Sequence, residues 1–510
     1  MTINSYLLSS IKKLAGQTIW YGASSIFARF LYYMLTPYLT LKFAGTTQYG
    51  QMTLVYSLIP FLNTLVLFGF ETAYFRYVQK REDEKEVYNT ITSSLIVSTT
   101  VITVLTIVFN KGIAQYIGIG HHPEYITISA FIIAFDALAA IPFAKLRHEA
   151  RPKKYAFIRI AGILLNILVA YFFLSICPAL QKKHPDSIIL LFYNPGFGVG
   201  YVLIANLAQS FFQVAALSKE LSQFQWKLNK TLWREIIIYS LPLTIAGFGG
   251  MINETFDRIM LQKRSPLSGD AATFQVGIYG ACYKLSILIT LFVQAFRMGA
   301  EPFFFRQSTD ENAPRTYARV MKFFVITICI MFLFVALYLD IWKYFIRDKK
   351  MWEGLKVVPI LLFANMFLGI YYNLSIWYKL SHSTRAGAYI TLIGAALTLA
   401  INYLFIPAYS YMACAWATFV CYGSMMVISF VWGQKEYRIP YAWKKLIAYM
   451  FIAALIYFIH HLLTGLWKNR WINLGLASFF IVVYSLFILR IEKKEFQQLP
   501  YLGKWIYRLA

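Results

Sequence analysis

The sequence predicts an all-α, polytopic membrane protein: fourteen transmembrane helices, as two parallel six-helix lobes plus two extra C-terminal helices. Three observations predict it. Apolar residues make up 59% of the chain and charged residues 14%, whereas soluble domains carry about 25% charged residues. Fourteen stretches are long and apolar enough to cross a hydrocarbon core, which takes about 20 residues of helix. A set of short patterns in the first half returns, in order, in the second.

The fourteen stretches are 18–43, 50–77, 88–109, 125–146, 155–176, 196–217, 234–261, 276–303, 319–341, 355–378, 386–406, 411–433, 444–464 and 470–489. The segments between them are short, so no soluble domain fits. The first 17 residues are polar, with Lys12 and Lys13, and run into a long apolar stretch without a small-residue cleavage site. The first stretch therefore reads as a retained span and not a signal peptide. Aromatics at 18% suit interfacial belts.

The repeat has four anchors. Gly69-Phe-Glu71-Thr-Ala-Tyr74-Phe75-Arg76 returns as Gly299-Ala-Glu301-Pro302-Phe-Phe304-Phe305-Arg306, 230 residues on. Phe27-Ala-Arg29 returns as Phe256-Asp257-Arg258. Gln48-x-Gly50 with Tyr56-x-Leu58 returns as Gln275-x-Gly277 with Tyr283-x-Leu285. Leu146-x-His148-x-x-Arg151-x-x-x-Tyr155 returns as Leu380-x-His382-x-x-Arg385-x-x-x-Tyr389. Six spans separate equivalent positions. An even number preserves direction, so the halves are parallel copies, the layout of an alternating-access carrier with its cargo between them. The boundaries follow: a first lobe over 1–217, a second over 218–433, and two uncopied helices with a tail over 434–510.

The formal net charge is +25, and its placement is a topology signal. With span-end residues counted in the flanking segments, 28 of the 48 Lys and Arg fall on the side of the N-terminus and 13 on the other. The positive-inside rule then puts both termini in the cytoplasm. Nucleic-acid binding gains no support. One outer segment, 342–356, departs from the rule with Lys343, Arg347, Lys349, Lys350 and Lys356, through local tolerance or contact with anionic headgroups.

Charges inside spans are costly and face a bundle interior or water. They are Arg29, Glu71, Arg76, Asp136, Lys145, Arg159, Asp257, Arg258, Lys284, Arg297 and Glu301, seven basic and four acidic. A central cavity with a basic surplus suits an anion such as phosphate or pyrophosphate. Arg29, Arg258, Lys284 and Arg297 are the candidate cargo-binding residues, with the two copies Arg29 and Arg258 expected to face each other across the axis. Glu71, Asp136, Asp257 and Glu301 are candidates for ion coupling or for structural pairs. Glu71 and Glu301 lie near i,i+4 reach of Arg76 and Arg306, which reads as ion pairing or snorkelling. Lys145 and Arg147 read as interfacial, and Arg159 fits either role. Asp257 and Arg258, adjacent on one helix, are expected to point apart. Asp136 is a lone acid, suited to a cation or proton or to pairing with an arginine.

Pro37, Pro60, Pro142, Pro242, Pro302, Pro359 and the run Gly247-Phe-Gly249-Gly250 mark bends, either hinges or static kinks. Cys177, Cys282, Cys329, Cys414 and Cys421 lie in or beside apolar runs without paired spacing and read as small packing residues. The adjacent pairs His121-His122 and His460-His461 do not suit chelation of one ion. Asn253-Glu-Thr255 and Asn373-Leu-Ser375 match glycosylation sequons but lie in spans. The acidic run at 82–84 reads as a solvated loop. No Walker sequence is present, and nothing calls for a cofactor or a metal.

The Gly299-x-Glu301-Pro302-Phe-Phe-Phe-Arg306 segment, together with Tyr49-Gly50 after the first helix, resembles the polysaccharide and oligosaccharide-lipid flippases. These belong to the superfamily of multidrug and toxin extruders and lipid II flippases. The likeness covers nearly the whole chain. It implies a V-shaped cavity that rocks between faces and a cargo of polyprenyl-pyrophosphate-linked sugar, moved from the cytoplasmic to the outer leaflet of a bacterial inner membrane. It also implies a groove for the lipid tail at the last two helices, and a monomer working beside glycan-assembly enzymes. Arg29, Arg258 and Arg297 are the nearest equivalents of the family's cavity arginines by helix and depth. A multidrug or cation antiporter of the same fold is the alternative, disfavoured because the first helix offers Arg29 and no acid. A membrane glycosyltransferase would need a large outer loop or a loop carboxylate pair for a metal-bound sugar nucleotide, and neither is evident, so no enzymatic activity is expected.

Overall fold

A computed structural model of the chain describes residues 26–497 apart from 309, 382, 467 and 468. Lys12, Lys13 and His382 lie outside the described residues, as do the side chains of Pro302 and Arg306. The described residues are helical throughout, with no strand. Twelve helices are long and apolar enough to cross a membrane, and a bent pair, Ile188–Phe197 with Gly200–Ala216, makes a thirteenth. The first expected span begins outside the described residues, and its remainder, 26–42, is helical. We name the helices α1 (26–42), α2 (Gln48–Val78), α3 (Glu84–Val108), α4 (Pro123–His148), α5 (Pro152–Lys183), α6 (Gly200–Ala216) and α7 (Lys230–Arg264). The second half holds α8 (Gly269–Gln307), α9 (Ala313–Leu337), α10 (Val358–Leu374), α11 (Thr384–Tyr409), α12 (Tyr411–Glu436), α13 (Trp443–Leu466) and α14 (Arg470–Ile491).

Local chemistry sets the ends. The acidic run is more than a solvated loop: Asp83 caps α3, accepting from the Lys85 and Glu86 N–H groups at 3.0 Å each, and Glu84 and Glu86 lie in the first turn, where the helix dipole favours negative charge. Asn229 and Asn469 cap α7 and α14 in the same way. α2 is not one smooth helix. It breaks at Phe68 and Gly69, both left-handed at φ 45° and 70°. A Cβ at Gly69 would also lie 3.3 Å from the Ser240 carbonyl, so glycine is required there on two counts. α7 carries one π-helical turn, Ile252–Phe256. Its first part, with Leu232 and Ile236, packs among Val66, Phe70, Ile91 and Ile133 of the first half. Its last part packs on α8 and α11.

The copied anchors meet in space. A Cβ built on Gly277 would lie 3.0 Å from the Gly50 amide nitrogen, and one on Gly50 would lie 1.9 Å from the Thr273 carbonyl oxygen. α2 and α8 therefore cross backbone to backbone, which only small residues permit. Gln48 lies against Gly198, just before α6. Its copy Gln275 accepts a hydrogen bond from Ser410, just before α12. The end holding this crossing is the outer one as the charge bias assigns it, and it is shut. Asp348 accepts from the Gly45 N–H at 2.7 Å, the Arg347 N–H donates to Thr40 Oγ1 at 3.1 Å, and Tyr33 stacks on Phe345 at 4.4 Å. Within the basic 342–356 segment, Lys343 pairs with Asp340 at 2.6 Å. Arg347, Lys349 and Lys350 stand exposed without a carboxylate partner among the described residues.

α13 and α14 attach to α9. Glu492, 3% exposed just past the end of α14, accepts from Lys322 at 2.8 Å, Lys445 at 3.0 Å and the Tyr449 hydroxyl at 2.6 Å. Glu495 adds pairs with Arg319 at 2.9 Å and Lys322 at 3.0 Å. Burial by itself raises the Glu492 pKa, but the hydrogen bonds from Lys322, Tyr449 and Lys445 outweigh it and hold the group below the usual 4.5. A carboxyl depressed on folding stabilises the fold above its unfolded value, and that stabilisation is lost as pH falls through the lower folded value. Glu492→Gln is predicted to cost about 1–3 kcal/mol at pH 7 in thermal unfolding of the purified protein. The gap to wild type should close once pH falls below 4.5, and a gap constant down to pH 3 would contradict the assignment.

Candidate functional site

Beneath the closed outer end lies a hollow of two connected chambers. The first, about 270 Å³, sits between the halves. α1 and α2 supply Tyr32 and Tyr56, α7 supplies Glu254 and Arg258, and α8 supplies Tyr283 and Lys284. The second, about 460 Å³, lies among α7, α8, α10, α11 and α12 and includes Glu254, Tyr283 and Arg297. Glu254 and Tyr283 line both and mark the junction. Arg297 and Lys379 line the inner end of the second chamber, where a third small recess adds Glu301.

Each candidate residue has a definite place. Lys284 is half-buried in the first chamber, one residue past the repeated Tyr283. It has no hydrogen-bond or ion-pair partner among the described residues. Arg258 is 7% exposed and lies over the Tyr283 ring at 4.3 Å. It also pairs with its neighbour Asp257 at 2.8 Å, so the two do not point apart as expected. The π turn just before them changes the local winding, and the long arginine folds back along the helix to reach the Glu254 carbonyl as well. Asp257, 2% exposed, takes a further hydrogen bond from the Tyr279 hydroxyl at 2.7 Å. These contacts hold Arg258 in place.

Arg29 is exposed and does not line either chamber. Its guanidinium reaches Gln294 of α8, whose side chain does line the second. Arg29 and Arg258 thus do not face each other directly. Both act on Glu254 between them. Arg297 is held by Glu301 at 2.6 Å and lies over Tyr372 at 4.8 Å. Glu301 also takes Lys379 at 2.6 Å. Glu71, its copy, pairs with Arg147 of α4 and not with Arg76. Arg76 stacks on Tyr239 at 4.2 Å instead. Five residues on is about 140° around a helix, too far for a side-by-side pair. The two anchor glutamates therefore do the same job in each half, tying the α2 or α8 end to a cation near the end of α4 or α10.

Asp136 is half-buried, with Ser210 and Arg159 as its polar and charged neighbours. Arg159 lies over the Phe143 ring at 4.2 Å. In α5 and α6 of the same half, Asn166, Gln209 and Gln213 carry enclosed polar atoms without a partner among the described residues.

Two residues of the hollow escape the sequence reading. Glu254 is exposed into both chambers, and its carboxylate makes no hydrogen bond among the described residues. Its position inside the span 234–261 was the available signal, but it sits in a sequon and reads as meaningless there. Lys379 lies one residue past the tenth expected span. Among the described residues no group of three His, Cys, Asp or Glu side chains suits a metal, and the five cysteines are free and buried.

Many long apolar helices around a polar hollow between two related halves define a multi-pass membrane protein with the architecture of a transporter. The chain belongs to the polysaccharide biosynthesis protein family, whose model matches residues 14–308. Its fold is shared with the lipid II flippase MurJ in an inward closed conformation, at TM-score 0.66 and 13% identity over 92% of this chain and 99% of that one. It is also shared with a multidrug resistance MATE family transporter of the MOP superfamily. The inward-facing form gives TM-score 0.59 at 14% identity, over 82% of this chain and 94% of that one. The outward-facing form gives 0.56 at 13% identity over the same shares. No curated protein sequence matches the chain significantly.

Because the native cysteines are buried, one new thiol is readable. Thr53 of α2 lines the first chamber. Thr53→Cys is predicted to react with small charged methanethiosulfonates, the anionic reagent roughly tenfold faster than the cationic one, since a cleft of one sign concentrates the opposite ion. Faster labelling by the cation would contradict a basic hollow.

Proposed function

We propose that the protein is an alternating-access flippase. It moves a polyprenyl-pyrophosphate-linked oligosaccharide or polysaccharide precursor from the cytoplasmic to the outer leaflet of a bacterial inner membrane, with both termini cytoplasmic. The observation that carries this reading is Lys284: an unpaired cation in a hollow between the halves, beside the fixed guanidinium of Arg258. An unpaired lysine at mid-bilayer costs about 2.5–3.5 kcal/mol on insertion scales. A bound phosphate offsets that cost by charge-assisted hydrogen bonds. Arg29 and Arg297 stand at the inner side of the hollow and act on the same anion as it enters or leaves. In this reading Glu71 and Glu301 are structural, and the lobes are 1–217 and 218–433, with 434–510 as an accessory segment.

Further support comes from an apolar groove of about 120 Å³ between α9, α10, α12 and α13, lined by Met321, Ile370, Met426, Phe430, Leu446 and Met450. It suits a polyprenyl tail that stays in lipid while the headgroup crosses. An inside-negative potential favours the outward movement of an anion by about 2.3 kcal/mol per charge per 100 mV. The protein catalyses no covalent step and works as a monomer beside glycan-assembly enzymes.

A second reading, a multidrug or cation antiporter, is favoured by Asp136 and the unpartnered Asn166 in the first half. One experiment separates them. In proteoliposomes carrying a fluorescent polyprenyl-pyrophosphate-linked sugar, Lys284→Met is predicted to slow flipping at least tenfold, or about 1.4 kcal/mol. Lys284→Arg should retain part of the rate and Asp136→Asn most of it. Wild-type rates in Lys284→Met, with drug efflux that depends on Asp136, would overturn the proposal.

A further inference from the structure

The two chambers differ in chemistry. The first holds the unpaired Lys284. In the second, by contrast, two carboxylates stand against two cations: Arg297 and Lys379 share Glu301, and Glu254 faces the chamber from the junction. What remains there is a wall of aromatic rings and amides. Tyr371, Tyr372 and Tyr422 stand beside Asn253, Gln294 and Asn365. The amides are fixed in place. Asn253 donates to the Thr391 carbonyl at 3.2 Å and accepts from Thr398 at 3.2 Å. Asn365 donates to the Ser286 carbonyl at 3.3 Å, and Gln294 accepts from Arg29. Their other halves, Asn365 Oδ1 and Gln294 Nε2, make no hydrogen bond among the described residues. The hydroxyls of Tyr372 and Tyr422 likewise make none, and neither is an enclosed orphan atom. A neutral site with fixed aromatic faces and spare donors and acceptors suits neither a phosphate nor an acyl chain.

It does suit a sugar. A pyranose offers weakly positive C–H faces, which stack on the negative faces of aromatic rings, and hydroxyl edges, which exchange hydrogen bonds with amides and phenols. The chamber volume of about 460 Å³ lies within the roughly 300–1,000 Å³ of small-molecule sites. We propose that this chamber in the second half is a carbohydrate subsite, holding neutral sugar units of the cargo while its phosphate lies at Lys284 in the adjoining chamber. The inference rests on the flippase reading and adds to it where each part of the headgroup sits. Glu254 stands at the junction, lining both chambers within the electrostatic reach of Arg258 and Arg29.

The test uses the full chain in lipid nanodiscs, free of glycoside detergents. Thermal shifts are recorded with methyl glucoside, methyl galactoside, methyl N-acetylglucosaminide, inorganic pyrophosphate and tetraphenylphosphonium. At least one glycoside is predicted to protect saturably. The Tyr372→Phe/Tyr422→Phe double variant keeps both rings and loses two hydroxyls, so it should need about tenfold more glycoside for half the shift. Tyr422→Leu, which removes the ring, should lose the response. Circular dichroism melts check that each variant folds. Protection by pyrophosphate should depend on Lys284 and survive without glycoside. Pyrophosphate protection with no glycoside response in wild type would overturn this inference. So would a glycoside response indifferent to Tyr372 and Tyr422, or protection by tetraphenylphosphonium alone through those tyrosines. A glycoside response without any pyrophosphate response would support the sugar chamber and overturn the charged-cargo reading instead.

Discussion

The backbone crossing of α2 and α8 at Gly50 and Gly277 sets the rest of the structure. Between apolar helices in lipid there is no hydrophobic drive to associate, so close packing of small residues has to supply the attraction. Two copies of one sequence anchor meet here, and no side chain intervenes. The halves are thereby pinned backbone to backbone at this end, and the hollow opens beneath the crossing. Asp348 and Thr40 tie the flanking turns of the same end. The hollow lies below this crossing, and at the opposite end the first part of α7 rests on the first half through Leu232 and Ile236.

Charge is then sorted by position. Towards the helix ends the acids are matched. Glu71 takes Arg147 and Glu301 takes Lys379. Glu220, 1% exposed, takes Arg151 at 2.9 Å and Lys154 at 2.7 Å. Burial alone raises the Glu220 pKa, but the hydrogen bond and charge of Lys154 outweigh it and leave it below the ordinary value. Inside the hollow the matching stops. Lys284 and Glu254 have no hydrogen-bond or ion-pair partner among the described residues, and Arg258 is held by Asp257, which does not line the chamber. Matched pairs hold the scaffold, and unmatched charges await something that arrives. The first chamber carries the cationic surplus, and the second is balanced and polar.

The sequence reads well where the bilayer dictates the answer. Spans from α3 to α14 follow from hydropathy, and the repeat follows from four ordered anchors, one of which meets its copy at Gly50 and Gly277. Local backbone is less legible. The Phe68–Gly69 break sits inside one apolar run, because hydropathy does not register a left-handed residue. The π turn at Ile252–Phe256 has no compositional mark, yet it brings Arg258 back onto Asp257 and Glu254, against the rule that neighbours diverge. Partner choice is the least legible of all. Glu71 and Arg76 are near in sequence but on different faces, and Arg147 arrives from another helix. Glu254 was hidden by a sequon that has no meaning in a span, and Lys379 by a boundary one residue short.

Two halves pinned at Gly50 and Gly277 enclose a polar space in which Lys284 is a cation without a partner among the described residues. The most direct measurement is a cryo-electron microscopy map of the protein with a short-chain polyprenyl pyrophosphate. Density for the phosphates is expected in the first chamber, within hydrogen-bond reach of the Lys284 ammonium and beside Arg258. Phosphate density elsewhere, or a Lys284 side chain turned to the acyl chains with the space between the halves filled by protein, would contradict it.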